Sequence, residues 1–194
     1  LQAGTGLDLR PIAGPLGLIL VFLGASMLLP ALADHSESAK GADAFLGTAA
    51  VTVFVGVLMW LAGRSADPIQ KLDLRQAFLF TSGMWLTLSL FAALPFMWGP
   101  AKLSFTDAIF ESVSGLTTTG ASVMSGLDTM APGTLLWRML LHWYGGIGIV
   151  VLAIAILPLL SIGGMQLFRT ESSDKSEKFM PRVGAIAKGL LLSY

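Results

Sequence analysis

The stretch Ser104-Phe-Thr-Asp-Ala-Ile-Phe-Glu-Ser-Val-Ser-Gly-Leu116, followed by Thr117-Thr-Thr-Gly-Ala-Ser122, decides how this chain is read. Ser104 three residues before Asp107 is a start like a capping box, with Asp where Glu or Gln is usual, and an acid in the first turn suits the helix dipole. Phe105, Ala108, Ile109, Val113 and Leu116 recur at helical spacing, so the stretch predicts a helix. Its length of ~18 Å is too short to cross a hydrocarbon core of ~30 Å. Thr117, Thr118 and Thr119 are poor helix formers, and Gly120 permits a positive φ. A short extended strand is therefore expected to follow the helix.

Outward from this segment lie long uncharged runs. Pro11 to Ala33 gives 23 residues, Ala44 to Gly63 gives 20, Gln76 to Ala101 gives 26 and Met139 to Phe168 gives 30. At ~1.5 Å per residue each can cross a membrane as a helix. The last is longer than needed, so a tilt or a bend near Pro158 and Gly163-Gly164 is expected. The first run is too long for a secretory h-region and is read as a retained helix. Flanked by two full spans, the Ser104–Leu116 helix reads as a re-entrant pore helix.

Composition agrees. Only 12% of the 194 residues are charged and 54% are apolar, with a mean hydropathy of +0.75. Twelve Lys+Arg and twelve Asp+Glu cannot cover a soluble domain of this size, which excludes an aqueous globule. The absence of cysteine excludes disulfides and thiolate chemistry. No basic run points to nucleic acid. The fold class is an all-α polytopic membrane protein with the lipid bilayer as its first partner.

Basic residues set the orientation. With the N-terminus inside, Arg10, Arg64, Lys71, Arg75, Arg169, Lys175, Lys178, Arg182 and Lys188 share one side, against Lys40, Lys102 and Arg138. The loop from Lys102 to Arg138 is then external and the stretch Arg169 to Arg182 cytoplasmic. The chain starts at Leu1 and stops inside an apolar run opening at Gly189, so it is expected to be an N-terminal part of something longer.

The strand after Leu116 carries the chemistry. Extended backbone at membrane depth is tolerated where its carbonyls face water or an ion. Successive carbonyls, with threonine hydroxyls beside them, are hard neutral ligands able to replace the water of an alkali cation. The short helix aims its partially negative C-terminus at the same place. No carboxylate lies in the strand, which argues against a tight divalent site. The candidate ion-binding residues are Thr117, Thr118, Thr119, Gly120, Ala121 and Ser122.

At these residues the sequence resembles the TrkH/KtrB potassium-uptake family. The resemblance rests on Phe110-Glu-Ser-Val-Ser-Gly-Leu-Thr-Thr-Thr-Gly-Ala121, Leu136-Trp-Arg-Met-Leu-Leu-His-Trp-Tyr-Gly-Gly-Ile-Gly-Ile149 and Leu157-Pro-Leu-Leu-Ser-Ile-Gly-Gly-Met-Gln-Leu167. It covers Arg75 to Tyr194, and the two preceding helices match the extra leading hairpin of the TrkH branch. The resemblance implies a leading hairpin over 1–70 and a first helix–pore-loop–helix repeat over 71–170. Residues 171–194 would hold a cytoplasmic loop and the start of the next helix. It further implies a pore of four such repeats in one chain, with a homotetramer as the alternative, and K+ as the transported ion; no covalent cofactor is expected. K+ would lie at Thr118, Thr119 and Gly120, with Gly120 as the filter glycine. Ala121 and Ser122 depart from the Tyr-Gly of potassium channels. A homodimer and a cytoplasmic nucleotide-binding regulatory subunit (TrkA-like) are the partners it implies.

Other residues keep two readings each. Arg138, beside Trp137, is either a snorkelling arginine in an aromatic belt or a support of the filter loop paired with Glu111 or Asp128. Glu111, midway along the short helix, either raises the local cation concentration or hydrogen-bonds neighbouring backbone. His142 reads as hydrogen-bonded between helices rather than as a proton relay. Gly145, Gly146 and Gly148 read as sites of close helix packing, and the mixed-sign run Glu171 to Lys178 as a solvated loop. The leading function is potassium uptake through a carbonyl-lined filter. An ion-coupled secondary transporter would need inverted repeats with paired broken helices. An enzyme lacks any Ser/His/Asp or metal cluster, with two histidines 107 residues apart in sequence.

Overall fold

A computed structural model describes residues 9–36, 41–64 and 74–156, with side chains as far as 148. All regular structure among the described residues is helical: α1 (Arg10–Ser26), α2 (Leu28–Ser36), α3 (Ala42–Gly63), α4 (Leu74–Trp98), α5 (Phe105–Leu116) and α6 (Pro132–Ile156). Among the described residues, three stretches are long and apolar enough to span a membrane: Arg10–Ser36, Ala42–Gly63 and Arg75–Trp98. Helix α6 has 25 residues and begins seven residues before the uncharged run at Met139. The bend expected near Pro158, the run Glu171 to Lys178 and the apolar opening at Gly189 lie outside the described residues.

The first span differs from the single helix expected over Pro11 to Ala33. It breaks at Met27 into α1 and α2. Pro30 has no N–H to offer the carbonyl four residues back, which interrupts the ladder there.

Helices α1 and α3 form a tight hairpin through small residues. A Cβ on Gly17 would meet the backbone of Gly56 and Trp60, and one on Gly24 would meet Val53 and the Ala49 carbonyl at 3.1 Å. Such seams let backbones approach where lipid gives no hydrophobic drive for association.

The hairpin docks on the repeat formed by α4, α5 and α6. Phe45 of α3 meets Trp137 of α6 edge-on with ring centroids 6.3 Å apart, and Phe22 meets Tyr144 at 5.6 Å. Trp137 is fully buried and donates from Nε1 to the Ala92 carbonyl at 3.0 Å. It is a core residue, correcting the belt reading, which hydropathy alone cannot distinguish from a core position.

Polar groups are buried beside an apolar core, while many large apolar side chains face outward. Asp34, Thr48, Thr52, Glu111 and Ser112 are buried, whereas Leu86, Leu32, Phe54 and Phe22 are largely exposed. That pattern suits a hydrocarbon surrounding. It also appears within α5, where Phe105 and Val113 face outward and the buried face is Ala108, Glu111, Ser112, Ser114, Gly115 and Leu116. The periodicity found the helix but not which face it buries.

Candidate ion-permeation site

Helix α5 starts as its sequence dictates. The Ser104 hydroxyl oxygen accepts the Asp107 N–H at 3.2 Å, and Ser104 Oγ donates to Asp107 Oδ2 at 2.7 Å. The helix is tied sideways to α4, where Ser112 Oγ donates to the Ser89 carbonyl at 2.8 Å. At its end Gly145 of α6 lies against the Leu116 carbonyl so closely that a Cβ there would collide with it. The packing reading thus holds at Gly145, which gives the loop its room, but not at Gly148, where a Cβ would meet nothing within 4 Å.

After Leu116 the chain turns out of helix and is not a regular strand. Thr118 has φ 58° and Gly120 φ 78°, while Thr119 between them is not in the left-handed region. This alternation makes successive N–H groups converge. The N–H groups of Thr119 and Gly120 both reach the Ser114 carbonyl, at 3.0 and 3.4 Å. Carbonyl and N–H point oppositely across a trans peptide. The Thr118 and Thr119 carbonyls therefore point away from α5. Residues Thr117 to Val123 are exposed in this chain. A hollow of about 540 Å³ opens beside Thr118, lined also by Met139, Leu140, His142 and Trp143.

The outer half of the loop is held by the protein itself. Ser114 Oγ donates to the Ala121 carbonyl at 2.6 Å, and Arg138 Nη2 donates to the Gly120 carbonyl at 3.1 Å. Ser122 Oγ donates to Glu111 Oε1 at 2.6 Å, as do the N–H groups of Val123 at 2.6 Å and Met124 at 3.3 Å. Glu111 Oε2 pairs with Arg138 Nε at 3.2 Å. The Thr117 and Thr119 hydroxyls are 2.8 Å apart, and Thr117 Oγ1 also donates to the Val113 carbonyl at 2.8 Å.

Of the two roles open for Glu111, the geometry fits the second: a buried carboxylate wholly occupied by loop N–H and O–H donors and by one guanidinium. Arg138 bridges helix and loop instead of snorkelling and pairs with Glu111, while Asp128 lies exposed in the short turn Leu127–Thr129. His142 Nδ1 lies 2.8 Å from the Arg138 carbonyl, one turn back on its own helix, so its bond is not between helices.

Two residues that hold this site do not stand out in the sequence. Ser114 uses both its carbonyl and its hydroxyl on the loop; a serine in the last helical turn before a Thr-Gly segment is the available signal. Asp34 is fully buried and accepts the Gly133 N–H at 2.6 Å, capping the first turn of α6 from the hairpin, with its Oδ2 unpaired among the described residues. In the sequence it marks only the end of an apolar run. The described residues contain no group of three His, Cys, Asp or Glu that could hold a metal.

A family model described as a cation transport protein, TrkH, matches residues 41–194. The chain is 44% identical over 191 residues to the Trk system potassium uptake protein TrkH of Halomonas elongata, covering 97% of this chain and 39% of that protein. It is 39% identical over 188 residues to the TrkH protein of Escherichia coli, covering 95% of this chain and 38% of that one. The crystal structure of the potassium transporter TrkH from Vibrio parahaemolyticus superposes with a TM-score of 0.79 at 34% identity, covering 95% of this chain and 37% of that chain. The chain thus spans less than two fifths of the length of these relatives. With a family model over most of its length and the same helical architecture, this multi-pass membrane chain belongs to the TrkH family of cation transport proteins.

Proposed function

We propose that this chain supplies one filter strand of a potassium-uptake pore in a bacterial inner membrane. K+ would exchange hydration water for backbone oxygens of the Thr117–Ser122 segment, with Gly120 setting the geometry. The other three strands of a four-strand pore would come from further repeats of a longer chain. The N-terminus would be cytoplasmic and the loop external, as the nine-to-three split of basic residues favours. A homodimer and a nucleotide-binding regulatory subunit complete the assembly in this proposal. The relatives named above as potassium uptake proteins support the choice of ion.

One observation carries the reading. Convergence of two successive N–H groups on the Ser114 carbonyl turns the Thr118 and Thr119 carbonyls away from α5 in an exposed segment. Neutral oxygens fixed in that way are suited to a monovalent cation.

The test is Gly120→Ala in the full-length protein, expressed in cells that need a potassium-uptake system to grow at low potassium. A side chain at φ 78° costs about 1–2 kcal/mol, so the strand should shift, growth rescue should weaken and the preference for potassium over sodium should change. Unaltered uptake and preference would remove Gly120 from the filter.

A further inference from the structure

The Gly120 carbonyl already has a cation beside it. Arg138 Nη2 donates to it at 3.1 Å while Nε of the same guanidinium pairs with Glu111 at 3.2 Å. Glu111 is 1% exposed, and its other oxygen takes three donors from Ser122, Val123 and Met124. A planar guanidinium with one arm locked by a buried carboxylate aims another arm at a fixed point. One residue further out, the Ala121 carbonyl is taken by Ser114 Oγ at 2.6 Å.

These contacts divide the loop into two halves. The Thr118 and Thr119 carbonyls point away from α5, whereas those of Gly120 and Ala121 are each held by a protein donor. A carbonyl that accepts from a guanidinium is a poorer ligand for an alkali ion, and a fixed positive charge at that distance opposes a second cation.

Resting on the reading that this loop lines a potassium pathway, we infer that the Glu111–Arg138 pair is a specificity-determining positioning device. It withholds the Gly120 carbonyl from the passing ion and ends this strand's dehydrating contacts at Thr119. Outward of that level the ion keeps its water on this side of the pore. The expectation that Gly120 supplies a K+ ligand is thereby narrowed: its role is the left-handed turn, not the oxygen.

The experiment uses the full-length protein and compares potassium and sodium uptake of the wild type with the double variant E111Q/R138Q. The double change leaves no buried charge unpaired, and a glutamine in place of Arg138 is too short to reach the Gly120 carbonyl. Freeing the carbonyl and removing the nearby positive charge should lower the half-saturating potassium concentration about threefold or more, and should change the preference over sodium, while the maximal rate moves less. A pair that merely braced the loop would lower the maximal rate and leave half-saturation unchanged or raised, and either of those results overturns the inference. If the double variant fails to assemble, Arg138→Lys keeps the ion pair with Glu111 but loses the fork. It should shift half-saturation in the same direction by a smaller factor, and no shift overturns the inference equally. Gly120→Ala in parallel separates the two claims. If it impairs uptake while the Arg138 variants leave half-saturation untouched, only the withheld carbonyl is wrong. If Gly120→Ala is itself silent, the filter reading falls.

Discussion

Thr118 holds the least comfortable backbone in the loop. A β-branched residue at φ 58° carries a cost of about 1–2 kcal/mol that glycine would not. Strain of this kind persists where the surroundings over-determine it, and here the Ser114 carbonyl fixes the next two N–H groups. Thr118→Gly should therefore keep the fold and stabilise the protein by roughly 1 kcal/mol, read as a raised unfolding temperature in detergent. Thr117→Gly, which loses the bond to the Val113 carbonyl, should lower it. At this scale the sequence was partly legible. The Thr-Gly segment announces non-helical backbone through propensity alone. That the Gly120 carbonyl is held depends on Arg138, 18 residues away and itself paired with Glu111, and no local pattern encodes that distance. Trp137 shows the same limit, since an aromatic beside an arginine near a span end reads alike whether it faces lipid or core.

Between elements, two contacts set where the loop sits. Gly145 lets α6 touch the C-terminal turn of α5, where any Cβ would meet the Leu116 carbonyl. Gly145→Ala should separate the helices and cost about 1–3 kcal/mol, seen as a lower unfolding temperature together with reduced potassium uptake. Asp34 caps α6 from the hairpin, 99 residues away from Gly133. Asp34→Ala should cost about 0.5–2 kcal/mol, whereas Asp34→Asn, which keeps an acceptor, should lose less; thermal unfolding of both variants checks this. The α5 boundaries were readable because Ser104 and Asp107 form a local cap. The break at Met27 and the tie through Asp34 were not, because hydropathy treats an apolar run as continuous and a charge as its end.

Across the whole molecule, large apolar side chains face outward and a few polar groups, Asp34 and Glu111 among them, are buried at packing contacts between helices. The all-α membrane architecture was legible from the uncharged runs, because the bilayer fixes how long an apolar helix must be. The burial pattern within α5 was not, because a helix surrounded by apolar material can turn Phe105 and Val113 outward at no cost in water contact. The central claim is that the Thr118 and Thr119 carbonyls face a dehydrated potassium ion. A crystal of the full-length protein in Rb+ or Tl+ tests it most directly through the anomalous signal of the ion. The account predicts a peak within coordination distance of those two oxygens. A map with peaks elsewhere in the pore and none beside Thr118 or Thr119 would contradict it.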